Sequence, residues 1–362
     1  MRLLVSSSFA DETCDFSHGK WNRGDNVSSS PSPRYTNATC LTIPDKKDCF
    51  KHGRVDRDFL QWRWKPEKCD LPPFDADAFL LIVRDKTMGF VGDSVGRNHM
   101  DSLVCLLSQV ESPMDIYKDA KDRNRIYHFP AHNFTLKSVW TKFLVLGEER
   151  VVNGSLAGVM DLNLDQIDYN WDKDLHTLDF IIISTGQWFF RPIYLHEGSI
   201  VLSCVYCKNS TVPDLGVEFA IQRTIQAALN HINQCKNCSK KMVTLVRSYS
   251  PSHFENGDWN SGGTCNRTAP IGGTEIDFDG LEWKIWKMQK DEIGKISKVG
   301  GPGKKFALLD VTMAMILRPD GHPGAYWRDK KKGYNDCVHW CLPGPIDLWS
   351  DLLLALLKRI HL

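Results

Sequence analysis

The chain has 362 residues, of which 42% are hydrophobic and 25% are charged, and its formal net charge is +1. These values exclude a disordered or collagen-like chain, and the near-neutral charge gives no sign of a nucleic-acid-binding surface. The length allows two or three domains, or one large α/β domain with an appendage.

The predicted elements follow a loop-rich N-terminal segment. Residues 1–75 contain four cysteines and a stretch rich in Ser and Pro, so we expect a lobe with little regular structure that is held together by disulfides. Beyond this lobe, short apolar runs alternate with helical patterns. The predicted strands are 88–91, 143–146, 179–184, 242–246 and 306–311, and the predicted helices are 95–109, 217–232 and 346–360. This alternation predicts an α/β fold, a doubly wound parallel sheet with helices on both faces.

A candidate nucleophile follows the first predicted strand. Gly92-Asp93-Ser94 lies between that strand and a helix, at the edge where open α/β sheets bind their ligands. The N–H groups and dipole at a helix N-terminus can stabilise an oxyanion, and Gly92 allows the backbone to come close to a substrate. Ser94 is therefore a candidate nucleophile. An ordinary helix N-cap by Asp93 or Ser94 would explain the triplet equally well.

A candidate base precedes the last predicted helix. Asp336-Cys337-Val338-His339 offers the histidine and the orienting carboxylate that a serine nucleophile needs. Cys337 and Cys341 flank His339, and two disulfides here would hold the base rigidly. The alternative is a structural histidine beside a capping aspartate. The same spacing at Asp15 and His18 is interpreted as structural, because no nucleophile context accompanies it.

Several other residues have two readings. Trp188, Phe189 and Phe190 follow a strand end, where they could stack on sugars or pack in the core. Arg97, one turn after Ser94, could face the cleft or form a surface salt bridge. We expect Asp320-Gly321-His322-Pro323 to be a turn with His322 packed inside, and Lys330–Lys332 to be a solvated loop.

The chain has 12 cysteines, an even number that suggests disulfides and an oxidising compartment. It also has seven Asn-x-Ser/Thr glycosylation acceptors, where chance predicts roughly two. Together they favour passage through the secretory lumen. No signal peptide is recognisable and no run of 18 apolar residues exists, so we expect an N-terminal anchor that this sequence lacks. The acceptors are Asn26, Asn37, Asn133, Asn153, Asn209, Asn237 and Asn266.

Six motifs together carry a resemblance to a known family. They are Cys14-Asp15-Phe16 with Gly19-Lys20-Trp21, Trp62-Arg63-Trp64 with Pro66 and Cys69-Asp70-Leu71-Pro72, Gly92–Asn98, Trp188–Pro192, Arg318–Pro323 and Asp336–Gly344. In these motifs the chain resembles the plant trichome birefringence-like family, a branch of the SGNH/GDSL esterase superfamily. The match extends over nearly the whole chain.

The resemblance implies an SGNH-like acyltransferase domain at 71–360 and an N-terminal Cys- and Trp-rich lobe at 12–70, which form one composite unit. It implies an O-acetyltransferase of cell-wall polysaccharides in the Golgi lumen, with Ser94, His339 and Asp336 as its triad and acetyl-Ser94 as intermediate. The donor is acetyl-CoA or another activated acetyl, with no bound cofactor or metal. The membrane would be reached only through the expected anchor.

Further residues are expected to act around the triad. The residues expected to hold the oxyanion or the substrate are Gly92, Arg97, Gly186, Gln187, Trp188 and Arg191. Gln187 stands where the family usually has a histidine, and its amide can still donate. Asp93 is taken as structural because the triad already has its carboxylate. The implied disulfides are Cys14–Cys69, Cys40–Cys105, Cys49–Cys341 and Cys265–Cys337.

The four remaining cysteines form two Cys-x-x-Cys pairs, Cys204/Cys207 and Cys235/Cys238. In having these two extra pairs, the chain resembles the family branch that acts on xyloglucan and mannan. Two further disulfides are the favoured interpretation, and a four-thiolate zinc site is the alternative. For function, the alternatives to a xyloglucan O-acetyltransferase are a glucomannan or mannan O-acetyltransferase, a carbohydrate acetyl esterase with the same triad, and a non-catalytic wall-polysaccharide-binding protein.

Overall fold

A computed structural model of the protein describes residues 14–24, 33–207, 211–327 and 333–361. The strands are β1 Gly19–Arg23, β2 Trp62–Pro66, β3 Thr87–Gly92, β4 Met114–Lys118, β5 Arg125–Phe129, β6 Phe134–Trp140, β7 Val145–Val152, β8 Ser155–Ile167, β9 Phe180–Ser184, β10 Ile193–Glu197, β11 Ile200–Val205, β12 Val243–Arg247 and β13 Lys305–Leu309. The α-helices are α1 Ala76–Ile82, α2 Ser94–Leu107, α3 Tyr169–Asp172, α4 Gly216–Gln234, α5 Leu281–Val299, α6 Thr312–Ile316 and α7 Leu348–His361.

The central sheet has seven strands in the order β13-β12-β9-β3-β6-β5-β4. The first five are parallel to one another, whereas β5 and β4 are antiparallel additions at one edge. The predicted parallel α/β sheet is therefore confirmed, with an antiparallel extension. Parallel neighbours bring the carboxyl ends of β3 and β9 side by side, which places the turn after Gly92 next to the segment after Ser184.

Helices cover both faces of this sheet, and the side chains of strand β9 pack against the helices of both faces. Phe180 and Ile182 contribute to a core that contains side chains of α1, α2 and α7, whereas Ile181 and Ile183 contribute to a second core with α4 and α5. Successive side chains of a strand point to opposite faces, so an uninterrupted apolar strand is buried on both sides. The apolar run within 179–184 is explained by the burial of β9 on both faces of the sheet.

A second sheet of four strands, in the order β11-β10-β8-β7, lies beside the helices of the second face. The predicted strand at 143–146 is confirmed only at Val145 and Leu146. Phe143 and Leu144 are buried in the core, but Leu144 has a φ of 68°, which interrupts the extended backbone. Strand β7 begins only at Val145 and belongs to the second sheet.

The N-terminal lobe has little regular structure, as expected. Within its described residues, 14–24 and 33–70, the regular sheet is the antiparallel pair β1 and β2. The disulfide Cys40–Cys105 joins the lobe to α2, and Cys49–Cys341 joins it to the loop before α7. None of the helices in the described ranges combines the length and the apolar character needed to cross a bilayer.

Candidate active site

The turn after β3 places Ser94 at the first position of helix α2. The Oδ1 atom of Asp93 accepts hydrogen bonds from the N–H groups of Val95 and Gly96, so Asp93 is the N-cap of this helix. Asp93 is buried, and burial raises its pKa. Asp93 thus has the structural position expected of it, and Ser94 is left with its side chain partly exposed.

Gly92 makes room for the neighbouring strand. Its φ is +152°, and a Cβ at this position would lie 1.8 Å from the carbonyl oxygen of Ser184. Only glycine adopts this backbone conformation without strain. The close approach that requires glycine at position 92 is thus to the backbone of β9.

The structure brings Ser94, His339 and Asp336 together in one chain of hydrogen bonds. The Ser94 hydroxyl donates to Nε2 of His339 across 2.7 Å. Nδ1 of His339 lies 2.9 Å from each carboxylate oxygen of Asp336. Because an ionised carboxylate only accepts hydrogen bonds, Nδ1 carries the ring proton, and Nε2 is free to take the proton of Ser94.

Asp336 is held in its ionised form. Burial alone would raise its pKa, but the adjacent His339 and Lys47, with hydrogen bonds from the His339 ring and backbone N–H, hold the pKa well below its usual range. The Nζ atom of Lys47 lies 3.4 Å from the Asp336 carboxylate. Sequence reasoning missed Lys47, which comes from the N-terminal lobe and has no local signal for this contact.

The loop around His339 is anchored on several sides. Cys341 is bonded to Cys49, and Cys337 to Cys265. The side chain of Asn98 accepts a hydrogen bond from the backbone N–H of Trp340 at 2.8 Å and donates to its carbonyl at 3.3 Å. Asn98 thus joins the helix that carries Ser94 to the loop that carries His339. It lies within the Gly92–Asn98 motif, but its role was not predicted.

His322 is packed inside, as its motif suggested. It is buried and stacks on Trp340, with ring centroids 4.1 Å apart. Its Nδ1 donates to the backbone carbonyl of His339 across 2.6 Å, and its Nε2 lies 2.7 Å from Nδ1 of His253. His322 therefore contacts the backbone of the candidate base.

On one side of Ser94 lies an aromatic groove with a volume of about 550 Å³. Its aromatic side chains are Trp188, Phe190, Phe254, Trp259, Trp327 and Tyr334. Gln187 and Arg191 also line it; the Gln187 amide donates to the Ser250 carbonyl, and the Arg191 guanidinium lies 4.2 Å from the centre of the Trp188 ring. Phe189 is fully buried in the core, whereas Trp188 and Phe190 line the groove and also pack against the core.

Gly186, the residue before Gln187, lies just beyond β9. Its φ is +141°, and a Cβ there would lie 2.8 Å from the Tyr249 ring. The position therefore requires glycine for both its backbone conformation and its packing.

Ser94 also lines a second groove, which is basic and has a volume of about 570 Å³. Its cationic side chains are Lys46, Lys47, Arg97, Lys118, Lys121 and Arg123. Arg97 lines this groove and also pairs with Asp101, 2.8 Å away, and with Asp122. Arg97 thus faces the cleft, and its ion pair with Asp101 is buried rather than on the surface.

The cysteines form six disulfides, and no cysteine in the described ranges is free. Four are the pairs implied by the resemblance, including Cys14–Cys69, and the other two are Cys204–Cys207 and Cys235–Cys238. Disulfide sulfurs are not thiolates, so this arrangement differs from the zinc alternative.

The glycosylation acceptors within the described residues are all exposed; they are Asn37, Asn133, Asn153, Asn237 and Asn266. Asn26 and Asn209 lie outside the described residues, as do Lys330–Lys332. Asp15 and His18 form a hydrogen bond of 2.9 Å in the N-terminal lobe and line neither groove.

Comparison with known proteins agrees with this geometry. Residues 71–356 match the domain family described as PC-Esterase, a GDSL/SGNH-like acyl-esterase family found in Pmr5 and Cas1p, and residues 12–70 match the PMR5 N terminal domain. Xyloglucan O-acetyltransferase 4 of Populus trichocarpa is 58% identical over 359 residues, which are 99% of this chain and 84% of that protein.

Two relatives from Arabidopsis thaliana are also similar over most of their length. Xyloglucan O-acetyltransferase 2 is 51% identical over 353 residues, 97% of this chain and 84% of that protein. Protein trichome birefringence-like 20 is 42% identical over 352 residues, 96% of this chain and 72% of that protein.

Proposed function

Because the chain belongs to the GDSL/SGNH-like acyl-esterase family, we propose that it is an O-acetyltransferase that acetylates a hydroxyl of xyloglucan through an acetyl-Ser94 intermediate. The observation that carries this proposal is the hydrogen-bond chain from Ser94 through His339 to Asp336. The names of the relatives that are 51% and 58% identical support the reaction and the acceptor.

In the first half-reaction, Nε2 of His339 takes the proton of Ser94 as the hydroxyl oxygen attacks the carbonyl carbon of the acetyl donor. Asp336 stabilises the imidazolium that forms. We assign the oxyanion to the backbone N–H groups of Ser94 and Gly186; the position of Ser94 at the start of α2 supports this assignment. The bond to the leaving group then breaks, and His339 returns the proton to that group.

In the second half-reaction, a sugar hydroxyl takes the place of the leaving group. His339 removes its proton while the sugar oxygen attacks acetyl-Ser94, and the Ser94 oxygen leaves and recovers the proton from His339. The result is an acetylated sugar and free enzyme, so the kinetics should be of the ping-pong type. If water attacks in place of the sugar, the same steps make an esterase.

The Ser94→Ala variant tests the assignment. We expect acetylation of xyloglucan, measured by mass spectrometry of the glycan, to fall by roughly 10³-fold or more. Ser17→Ala is a matched control, because Ser17 also contacts a histidine and an aspartate: its hydroxyl lies 3.0 Å from Nδ1 of His18 and 2.6 Å from Asp15. The control should keep full activity. Undiminished acetylation by Ser94→Ala would contradict the proposal.

Product analysis separates the remaining alternatives. The wild-type protein is incubated with acetyl-CoA and either xyloglucan, glucomannan or no glycan. A transferase of the proposed specificity yields acetylated xyloglucan, whereas a mannan-specific enzyme acetylates only glucomannan. Acetate release that is independent of any glycan identifies an esterase. A serine-directed fluorophosphonate probe that fails to label Ser94 would indicate a non-catalytic binder.

We also propose that the protein works in the Golgi lumen. The six disulfides and the five exposed glycosylation acceptors support an oxidising, glycosylating compartment. Protein extracted from plant cells should increase in mobility after removal of N-glycans, and a fluorescent fusion should coincide with a Golgi marker. Protein without glycans that is distributed through the cytosol would contradict this proposal.

A further inference from the structure

The two grooves beside Ser94 meet at catalytic residues. Among the residues that the structure describes, Ser94 and His339 are the only side chains that line both the basic groove and the aromatic groove. The grooves have almost equal volumes, but their chemistry differs. The reaction needs two substrates that react in turn with the same serine, so a cleft with two arms offers each substrate its own binding surface.

The basic groove carries an excess of positive charge. Six cationic side chains line it against three carboxylates, those of Asp45, Asp101 and Asp122. These carboxylates already have ion-pair partners: Asp45 pairs with Lys51 at 2.6 Å, and Asp101 and Asp122 both pair with Arg97. Each carboxylate that faces the groove thus already has a cationic partner, and Arg97, itself one of the six cations, is engaged by two of them.

Three of the cations remain available to a ligand. Lys118, Lys121 and Arg123 are exposed, and none of them forms an ion pair with any residue of the described ranges. They lie on β4 and on the turn between β4 and β5. Asp119 holds that turn by accepting hydrogen bonds from the backbone N–H groups of Lys121 and Arg123 at 3.1 and 2.8 Å. The cations are therefore presented on an ordered turn.

The aromatic groove has the opposite character. Its lining within the described ranges includes six aromatic side chains and a single cation, Arg191, which lies over the Trp188 ring. Aromatic faces suit the apolar faces of sugar rings, whereas a neutral polysaccharide gains nothing from a row of cations. Cations at the basic groove instead suit a ligand with several negative charges, above all phosphate groups.

On this basis we propose that the basic groove binds a phosphate-bearing acetyl donor through Lys118, Lys121 and Arg123, while the aromatic groove binds the polysaccharide. The inference rests on the proposed acetyltransferase function and adds the surface that binds its donor. The donor presents its acetyl group to Ser94 from one side, and its leaving group departs along the basic groove. The sugar hydroxyl then reaches acetyl-Ser94 from the other side.

Direct binding tests this assignment without relying on turnover. CoA serves as the probe, titrated calorimetrically into Ser94→Ala protein at low and at high salt. We expect binding that weakens as salt rises, and a Kd that increases roughly ten-fold or more when Lys118→Gln, Lys121→Gln and Arg123→Gln are combined. Absence of CoA binding, or equal Kd values with and without the three substitutions, would overturn the proposal.

Kinetics provide a second readout on the protein with Ser94 intact. The triple variant should raise KM for acetyl-CoA by roughly ten-fold or more, while its reaction with 4-nitrophenyl acetate, a neutral donor, stays within about two-fold. A matched control replaces Lys284, Lys287 and Lys298, three exposed lysines of α5, by glutamine; it removes the same charge and should change neither value.

The outcomes separate this inference from the proposed function. A triple variant that raises KM for xyloglucan but not for acetyl-CoA would assign the basic groove to the polymer and overturn the inference alone. Wild-type protein that acetylates xyloglucan from a neutral donor but not from acetyl-CoA would also overturn it and leave the function standing. Acetylation that persists in Ser94→Ala would instead overturn the proposed function.

Discussion

Ser94 lies at the junction of a strand and a helix that follow each other in the chain, whereas His339 lies in a loop without helix or strand. The nucleophile turn, residues 92–94, is shaped by its own glycine, its own N-cap and the adjacent strand β9. The base loop, residues 336–341, is held by distant partners: Cys49 is 292 residues from Cys341 in the sequence, and Asn98 is 242 residues from Trp340.

This difference shows that one active site can be stabilised in two ways. A turn between regular elements depends on local sterics and caps, so a single added atom should disrupt it. An irregular loop has few local hydrogen bonds of its own, so its geometry depends on covalent and side-chain links to other parts of the molecule. Substitutions in the two regions should therefore fail for different reasons.

The largest difference is expected between the two buried aspartates. Asp336→Asn should lower kcat roughly 10³- to 10⁴-fold, because a neutral amide no longer stabilises the imidazolium of His339. Asp93→Asn should change kcat by less than about ten-fold, since asparagine is an equally good N-cap and burial already raises the pKa of Asp93. Steady-state kinetics of both variants, with folding checked by circular dichroism, measure this contrast. Equal losses would show that Asp93 takes part in the chemistry.

Steric sensitivity of the nucleophile turn is tested with glycines. Gly92→Ala should lower the free energy of unfolding by roughly 3–5 kcal/mol, because its Cβ would collide with the Ser184 carbonyl at a strained φ. Gly198→Ala is the control: Gly198 also has a positive φ, but a Cβ there meets nothing within 4 Å, so about 1 kcal/mol is expected. Urea denaturation provides both values. Similar losses would mean that backbone conformation alone, and not the contact with β9, requires Gly92.

Dependence of the base loop on distant links is tested with disulfides. Replacing Cys49 and Cys341 together by alanine should cost about 2–5 kcal/mol of stability and lower kcat, because the bridge closes a long segment and ends beside His339. Replacing Cys235 and Cys238 should cost about 2 kcal/mol or less and leave kcat unchanged, because that bridge spans three residues and lines neither groove. An unchanged kcat in the first variant would show that the other contacts suffice to position the base loop.

The two regions also differ in how well sequence reasoning anticipated them. The nucleophile turn could be predicted because β3 and α2 carry strong, contiguous hydrophobic patterns around Gly92-Asp93-Ser94. The Asp336 and His339 pair could be found by its spacing and by resemblance. Its partners Lys47 and Asn98 could not be assigned from local pattern, since both contacts join parts of the chain that only folding brings together.

The fold, like the site, was predictable where the local sequence pattern is strong. Buried parallel strands are continuous apolar runs, so β3, β9, β12 and β13 were predicted correctly. Strand β4 is exposed along its whole length and carries no such signal. Helix α5 was missed although Ile285, Met288, Ile293 and Ile296 are buried at helical spacing, so a stricter periodicity analysis would have found it. The division of the cleft into two grooves depends on the packing of loops and has no local signature.

The smallest contrast at neutral pH concerns two buried histidines, His99 in α2 and His322 against the base loop. Nε2 of His99 has no hydrogen-bond partner among the described residues, and its ring packs edge-on against Phe90 and Trp349. His322 instead donates to the carbonyl of His339. His99→Phe should therefore preserve kcat at pH 7, whereas His322→Phe should lower it by disturbing the base loop.

His99→Phe should also lose less stability than the wild type when the pH is lowered. Burial lowers the pKa of His99 to about 3, so the unfolded chain, with a histidine pKa of about 6.5, binds the proton more readily. The neutral ring contributes its full stability above pH 6.5, and that contribution declines as the pH falls toward 3. Between pH 8 and pH 5, this decline lowers the free energy of unfolding by about 2 kcal/mol. His99→Phe should lose about 2 kcal/mol less than the wild type over this interval, as measured by urea denaturation at each pH. Identical losses in the two proteins would mean that His99 takes up a proton in the folded state. The ring would then need a polar partner, which Phe90 and Trp349 do not provide.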